Sequence, residues 1–147
     1  MLTVLYLVFN EGYLARGPDR TVRRDLAEDA EWLASLLARL LPDEPEVLGL
    51  LALMRIHLAR ADARFDEHGR IVLLRDQDRT RWDRRRRDSG IHLIERAAAM
   101  HRPGPYQVQA AIAALHAEAP SWDVTDWPQI LRLYDTLLLM TGSPVVR

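Results

Sequence analysis

The sequence predicts an all-α domain of about six helices in antiparallel pairs, with one small β-hairpin inserted. Three observations carry that expectation. Apolar residues recur at steps of three and four through most of the chain, the links between periodic segments are short and rich in Pro or Gly, and only residues 61–74 break the helical period.

Composition narrows the class. A chain of 147 residues with 48% hydrophobic and 28% charged residues reads as one ordinary globular domain, long enough to bury roughly 70% of its unfolded surface. The formal net charge of −1 gives no global attraction to nucleic acid, and direct nucleic-acid binding is not expected. All 20 basic residues are Arg, which carries no functional weight. The absence of cysteine removes disulfides, thiolate catalysis and the common structural zinc sites, and suits a reducing cytoplasm. The apolar run 4–9 is too short to span a membrane and lacks the flanks of a signal peptide, so no membrane partner is expected.

In chain order, residues 1–11 read as a buried helix, with Asn10-Glu11-Gly12 as its stop and Gly12 in the left-handed position. A loop follows at Gly17-Pro18-Asp19. From about Thr21 to Leu41 the stripe Leu26, Ala30, Leu33, Leu37 and Leu40 marks a helix. Pro42-Asp43-Glu44-Pro45-Glu46 turns into the next, with Asp43 and Glu46 spaced as a capping box and Val47, Leu50, Leu51, Met54 and Leu58 as its buried stripe. The period then breaks, and Arg64-Phe65-Asp66 and Arg70-Ile71-Val72-Leu73 flanking Glu67-His68-Gly69 suggest a small hairpin turning at Gly69. A long helix is expected from about Thr80 to Met100, and Arg84 to Arg87 read as a solvated face. Arg102-Pro103-Gly104-Pro105 opens an Ala-rich helix over residues 106–118. Thr125 then caps a last helix, with the stripe Trp127, Ile130, Leu131, Tyr134, Leu137 and Leu138, closed by Gly142. Ser143-Pro144-Val145-Val146 reads as the start of a further helix, so the chain is expected to be a fragment of a longer protein.

The candidate site centres on the junction Asp76, Gln77, Asp78, Arg79 and Trp82. An Asp before a helix can accept from free backbone N–H groups, and Asp78 beside Arg79 can form a charge-assisted pair. That makes the junction a cap and ion-pair lock, expected to start the long helix and hold the hairpin against the helical pairs; its sharper alternative is a polar floor for a bound peptide or small ligand. On the next helix Tyr106, Gln109, Ala113 and His116 share a stripe. Its polar groups need partners, and the junction acids or the Asn10-Glu11 turn are the expected ones.

Catalytic chemistry finds little support. His92 and Glu95 run His-x-x-Glu rather than the Glu-x-x-His of a carboxylate-bridged site, and His116 and Glu118 point to different sides of a helix. No Ser sits in a Gly-flanked elbow, and no glycine-rich phosphate loop is present. No enzyme activity, metal or cofactor is expected. Residues 106–144 resemble a degenerate tetratricopeptide unit, which fits a tetratricopeptide-like helical array that binds a partner.

Seven motifs then occur in order: Val4-Leu5-Tyr6-Leu7-Val8-Phe9-Asn10-Glu11-Gly12-Tyr13; Leu41-Pro42-Asp43-Glu44-Pro45-Glu46-Val47-Leu48-Gly49-Leu50-Leu51-Ala52-Leu53-Met54; Asp76-Gln77-Asp78-Arg79 with Trp82-Asp83; Gly104-Pro105-Tyr106-Gln107 with Gln109-Ala110-Ala111-Ile112-Ala113-Ala114; Thr125-Asp126-Trp127; Leu133-Tyr134-Asp135; and Ser143-Pro144-Val145-Val146. Together they resemble the helical C-terminal extension of a group of bacterial extracytoplasmic-function RNA polymerase sigma factors. The resemblance implies a cytoplasmic module that follows the core-binding and promoter-binding sigma domains, continues into tetratricopeptide-like helices and tunes transcription initiation without a catalytic site. Its implied partners are those sigma domains of the same parent chain and RNA polymerase. The alternative is a small-molecule or peptide-sensing domain with a polar pocket near Asp76/Asp78 and Gln109/His116. Arg85 to Arg87 depart from the group's pattern, which is mostly apolar there.

Overall fold

The computed structural model describes residues 2–14 and 20–142. The expected Gly17-Pro18-Asp19 loop and Ser143-Pro144 helix start lie outside them. Among the described residues the chain forms six α-helices and no strand: α1 (Leu2–Tyr13), α2 (Arg20–Leu40), α3 (Pro45–Ala59), α4 (Arg84–Ala98), α5 (Pro105–Glu118) and α6 (Trp127–Thr141). Single 3-10 turns at Ala61–Ala63, Leu74–Asp76, Arg79–Arg81 and Trp122–Val124 lie between them.

Helix α3 is the spine, packing against α1, α2, α4 and α5. A helix apolar on every side must be enclosed. Its sequence, Val-Leu-Gly-Leu-Leu-Ala-Leu-Met from residue 47, is buried at each of these positions, so the single stripe expected for it is really a full circumference. Helix α2 differs from expectation in its buried face. Ala27, Ala30, Ala34 and Ala38 face the core, whereas Leu33 and Leu40 are exposed together with Trp32. Small side chains let α2 lie close on α1, and that close approach turns the flanking leucines outward.

Close backbone approach recurs around α3. A Cβ on Gly90 of α4 would lie 2.7 Å from Ile56 Cγ1, and one on Gly49 would lie 2.8 Å from the backbone nitrogen of Gln107 in α5. Beyond α5, Val108 and Ile112 pack with Ile130 and Leu137 of α6 in a smaller cluster of their own. Leu131, Tyr134, Leu138 and Leu139 on α6 stay exposed, so only part of its expected stripe is buried.

Several local expectations change. Gly12 is buried inside α1 rather than ending it, because the helix continues to Tyr13. The hairpin reduces to one antiparallel bridge, Phe65 to Ile71, around Gly69 at φ 77°. The Asp66 carboxylate closes the turn, accepting from the His68 and Arg70 backbone N–H groups at 2.8 and 2.9 Å, and the backbone pairs on either side of the bridge through Asp66 N–H to Arg70 and Val72 N–H to Arg64. Helix α4 starts at Arg84 under an Asp83 cap, not at Thr80. The cap of α6 is Asp126 rather than Thr125, whose hydroxyl donates to the Ser121 carbonyl. Gly142 does close α6, at φ 68° with its N–H on the Leu138 carbonyl.

The two tight glycines should respond differently to substitution. In a helix interior Gly→Ala normally stabilises by roughly 0.5–1 kcal/mol. At Gly49 the new methyl meets backbone, which cannot move alone, so Gly49→Ala should cost about 1–3 kcal/mol in urea unfolding. Gly90→Ala meets Ile56 Cγ1 and, at 3.1 Å, the Ala52 carbonyl oxygen, so it should also destabilise, by less than Gly49→Ala because the nearest atom is a side-chain carbon.

Candidate functional site

Helix α5 opens on Gly104-Pro105, neither of which carries a side-chain acceptor for the unpaired N–H groups of its first turn. Glu46 of α3 supplies one. Its carboxylate accepts from the Tyr106 N–H at 3.1 Å and the Gln107 N–H at 3.0 Å, and from the Gln107 amide at 3.3 Å. The expected capping box of Asp43 and Glu46 is therefore not made. Glu44 occupies the N-cap of α3 without a side-chain bond, and Glu46 caps the neighbouring helix instead. Gly104 is required for this, since a Cβ there would lie 2.2 Å from the Glu46 carboxyl carbon.

The opposite end of α5 meets the junction. Arg79 donates to the carbonyls of His116 at 2.8 Å and Ala119 at 2.9 Å, and its guanidinium lies 4.5 Å from the Trp82 ring centre. A cation at a helix C-terminus is favoured by the helix dipole, as an anion is at the N-terminus. Trp82 is buried with Ile56, Ala114 and Ala117, and its indole N–H donates to buried Gln77 at 3.2 Å. Gln77 in turn donates to the Val72 carbonyl. The Asp83 N–H reaches the Ala59 carbonyl at 2.8 Å, tying the junction to the end of α3.

The two junction acids have smaller roles than expected. Asp78 is exposed and caps only the Arg79–Arg81 turn, accepting from the Thr80 N–H at 3.0 Å and its hydroxyl at 2.6 Å. These bonds hold its carboxyl below the usual range, led by the Thr80 hydroxyl. Asp76 is exposed, 3.9 Å from Arg75. The ion pair expected between Asp78 and Arg79 is replaced by Arg79's bonds to α5.

The polar stripe of α5 is half-buried. Tyr106 meets Tyr6 edge-on, with ring centres 5.6 Å apart, and its hydroxyl lies 3.4 Å from that of Thr3. His116 stacks on Trp122 and meets Trp127 edge-on, and its Nδ1 is buried without a hydrogen-bond partner. Burial, then Arg60 and Arg79, lowers its pKa. Neither Gln109 nor His116 takes a junction acid or the Asn10-Glu11 turn as its side-chain partner; Asn10 bonds the Tyr6 side chain, and Glu11 is exposed. Tyr134 is exposed on α6. The stripe, the junction acids and α6 thus do not converge on one pocket.

A cavity of about 260 Å3 lies elsewhere, at the end of α3 against α1 and α2, lined by Tyr13, Arg24, Asp62, Arg64, Phe65 and Arg81 among others. Arg64 donates to the Tyr13 carbonyl and lies 4.1 Å over the Tyr13 ring. Beside it, His57 packs against Phe9 and Tyr13. Burial, with Arg60 and Arg64 nearby, pulls its pKa down to about 3. No local motif announces this cavity, whose lining comes from residues 12–13, 24–27, 58–66 and 81. In the arginine run, Arg84 and Arg85 are exposed as expected, whereas Arg86 reaches Glu28 at 3.7 Å and Glu31 at 3.5 Å on α2. Burial raises the Glu31 pKa despite Arg86 and Arg55. Among the described residues no three His, Cys, Asp or Glu side chains are grouped to hold a metal, and no helix is long and apolar enough to cross a membrane.

Fold and contacts define an all-α module whose charged groups brace helix ends across the interior. The chain belongs to a family of unknown function (DUF6596), whose profile matches residues 1–98. Over 144 residues it is 50% identical to an uncharacterized protein of Rhizobium meliloti (strain 1021), covering 98% of this chain and 34% of that one. The chain therefore spans about a third of the length of that relative. No solved structure matches it.

Two predictions follow from the geometry. Arg79→Ala removes two charge-assisted bonds and a cation–π contact and should lower stability by about 1–3 kcal/mol, while Asp76→Ala leaves melting unchanged and Asp78→Ala causes only a small drop. Thermal unfolding of the three variants ranks them. The second concerns pH: unfolded imidazole titrates near 6.5, so between there and about pH 3 the unfolded chain binds a proton that folded His57 refuses. The His57 contribution is complete above that range and is lost as pH falls, with a slope approaching about 1.4 kcal/mol per pH unit. His57→Phe should flatten the stability difference measured by urea unfolding at about pH 7 and about pH 5.

Proposed function

We propose that this chain is a regulatory and interaction module of an extracytoplasmic-function sigma factor, acting in the cytoplasm on transcription initiation through contacts with the sigma domains of its parent chain or with RNA polymerase. The observation that carries the reading is the placement of exposed large apolar side chains on the outer helices. Val4 and Leu7 of α1 and Trp32, Leu33 and Leu40 of α2 are exposed at the first pair; Leu131, Leu138 and Leu139 of α6 are exposed at the last. Exposed apolar surface of this kind marks a docking surface. Its natural occupants are the sigma domains and further helices of a parent several times longer, which agrees with the length of the Rhizobium meliloti relative.

The order of contacts supports a tetratricopeptide-like array. Odd-numbered helices touch in sequence, α1 to α3 and α3 to α5, and each also packs against the even-numbered helix that follows it. Such arrays bury a continuous core only through their neighbours. The ordered sigma-factor motifs give the array its proposed context.

Leu139 is 87% exposed, so Leu139→Asp should leave the melting temperature of this chain unchanged. In the full-length parent it should reduce promoter-dependent transcription, as should deletion of the whole module. Wild-type transcription by both forms would defeat the proposal.

A further inference from the structure

The cavity at the end of α3 has a composition that selects for charge. Its lining carries Arg24, Arg64 and Arg81 against Asp62 and Asp66, a net positive set. Both acids are already engaged. Asp62 holds Arg24 at 2.5 Å, and Asp66 accepts from two backbone N–H groups of its own turn and lies 3.5 Å from Arg70. Arg81 makes no ion pair among the described residues. Arg24 is held by Asp62 and Arg64 donates to the Tyr13 carbonyl, so the lining keeps a net positive charge that attracts an anion and repels a cation.

Two further features define the rest of the ligand. Tyr13 and Phe65, both buried, give the cavity an aromatic wall, and Arg64 lies 4.1 Å over the first ring and 5.2 Å from the second. Tyr13 also keeps a buried hydroxyl with no hydrogen-bond partner. Buried polar groups left unpaired in a native fold call for an explanation, and a bound ligand atom is one. At about 260 Å3 the cavity sits at the small end of ligand pockets, which run from roughly 300 Å3 upward.

We propose that this cavity is a binding site for a small organic carboxylate with a flat apolar body, its carboxylate facing Arg64 and Arg81 and its body against Tyr13 and Phe65. The site is built by α1, α2 and the segment after α3, and it takes Arg81 from the junction but none of the residues expected to form a polar pocket there. It stands independently of the sigma-factor reading, since it requires nothing of the partner the module serves.

Calorimetric titration of the 147-residue chain tests it with three probes: benzoate, uncharged benzamide, and inorganic phosphate. Benzoate should bind saturably, and benzamide and phosphate should not bind at the same concentration. Arg81 is exposed, so Arg81→Glu should fold normally and weaken benzoate about tenfold or more, equivalent to about 1.4 kcal/mol. Tyr13→Phe removes only the unpaired hydroxyl, so it should keep or raise the melting temperature while weakening benzoate several-fold. Absence of saturable benzoate binding overturns the proposal. So does benzamide or phosphate binding as tightly as benzoate, or wild-type affinity in both variants.

Discussion

Helix α5 is held at its two ends by opposite charges from other parts of the chain, and much of the arrangement depends on that. Glu46 of α3 closes the first turn, and Arg79 of the junction closes the last. Each charge has the sign the helix dipole favours. Because both groups are remote in sequence, capping here is tertiary: it fixes α5 against α3 and positions the junction together. Gly49 and Gly104 make the first contact possible, one by admitting the Gln107 backbone and the other by leaving space for the Glu46 carboxylate.

Between these end constraints, packing follows side-chain size. Where glycine and alanine line a helix face, the neighbouring backbone comes close, as at Gly90 on α3 and along Ala27, Ala30, Ala34 and Ala38 of α2. Larger residues on the same helices are then displaced to the rim. Leu33 and Leu40 are exposed for that reason, although each fits the apolar period of α2. Arg86 bridges to Glu28 and Glu31, so α4 carries polar locks to α2 where a solvated face had been expected.

Helix number and approximate extent were legible from periodicity and punctuation, which are local properties. The helix expected from about Thr21 to Leu41 is Arg20–Leu40, and the one expected over 106–118 is Pro105–Glu118. What periodicity cannot encode is the identity of a distant partner. Glu46 matched a capping box with Asp43 by spacing, yet its acceptors serve N–H groups 60 and 61 residues away. The absence of any side-chain acceptor in Gly104-Pro105 was the one available hint. Residues 61–74 misled in another way: the broken helical period around Glu67-His68-Gly69 suggested two strands, but the pairing there amounts to a single bridge about a turn that the Asp66 carboxylate closes. The cavity went unread because its residues come from four separated segments.

The junction shows why a dense cluster of charges need not be a binding site. Arg79 is engaged by two carbonyls through one terminal guanidinium nitrogen while the other is buried without a partner, Gln77 and Trp82 bond each other, and the acid that caps the turn accepts from Thr80. A ligand placed there would have to displace bonds that hold α3, α5 and the 79–83 segment together, and the loss would fall on the fold itself. At the end of α3 there is open space as well, a cavity with a net positive lining. There the Tyr13 hydroxyl is buried without a partner, and Arg81 makes no ion pair among the described residues, although its charge reaches Asp78. The cavity and the exposed apolar helix faces are therefore where we propose recognition, and the junction is the brace that ties α3, α5 and the 79–83 segment together.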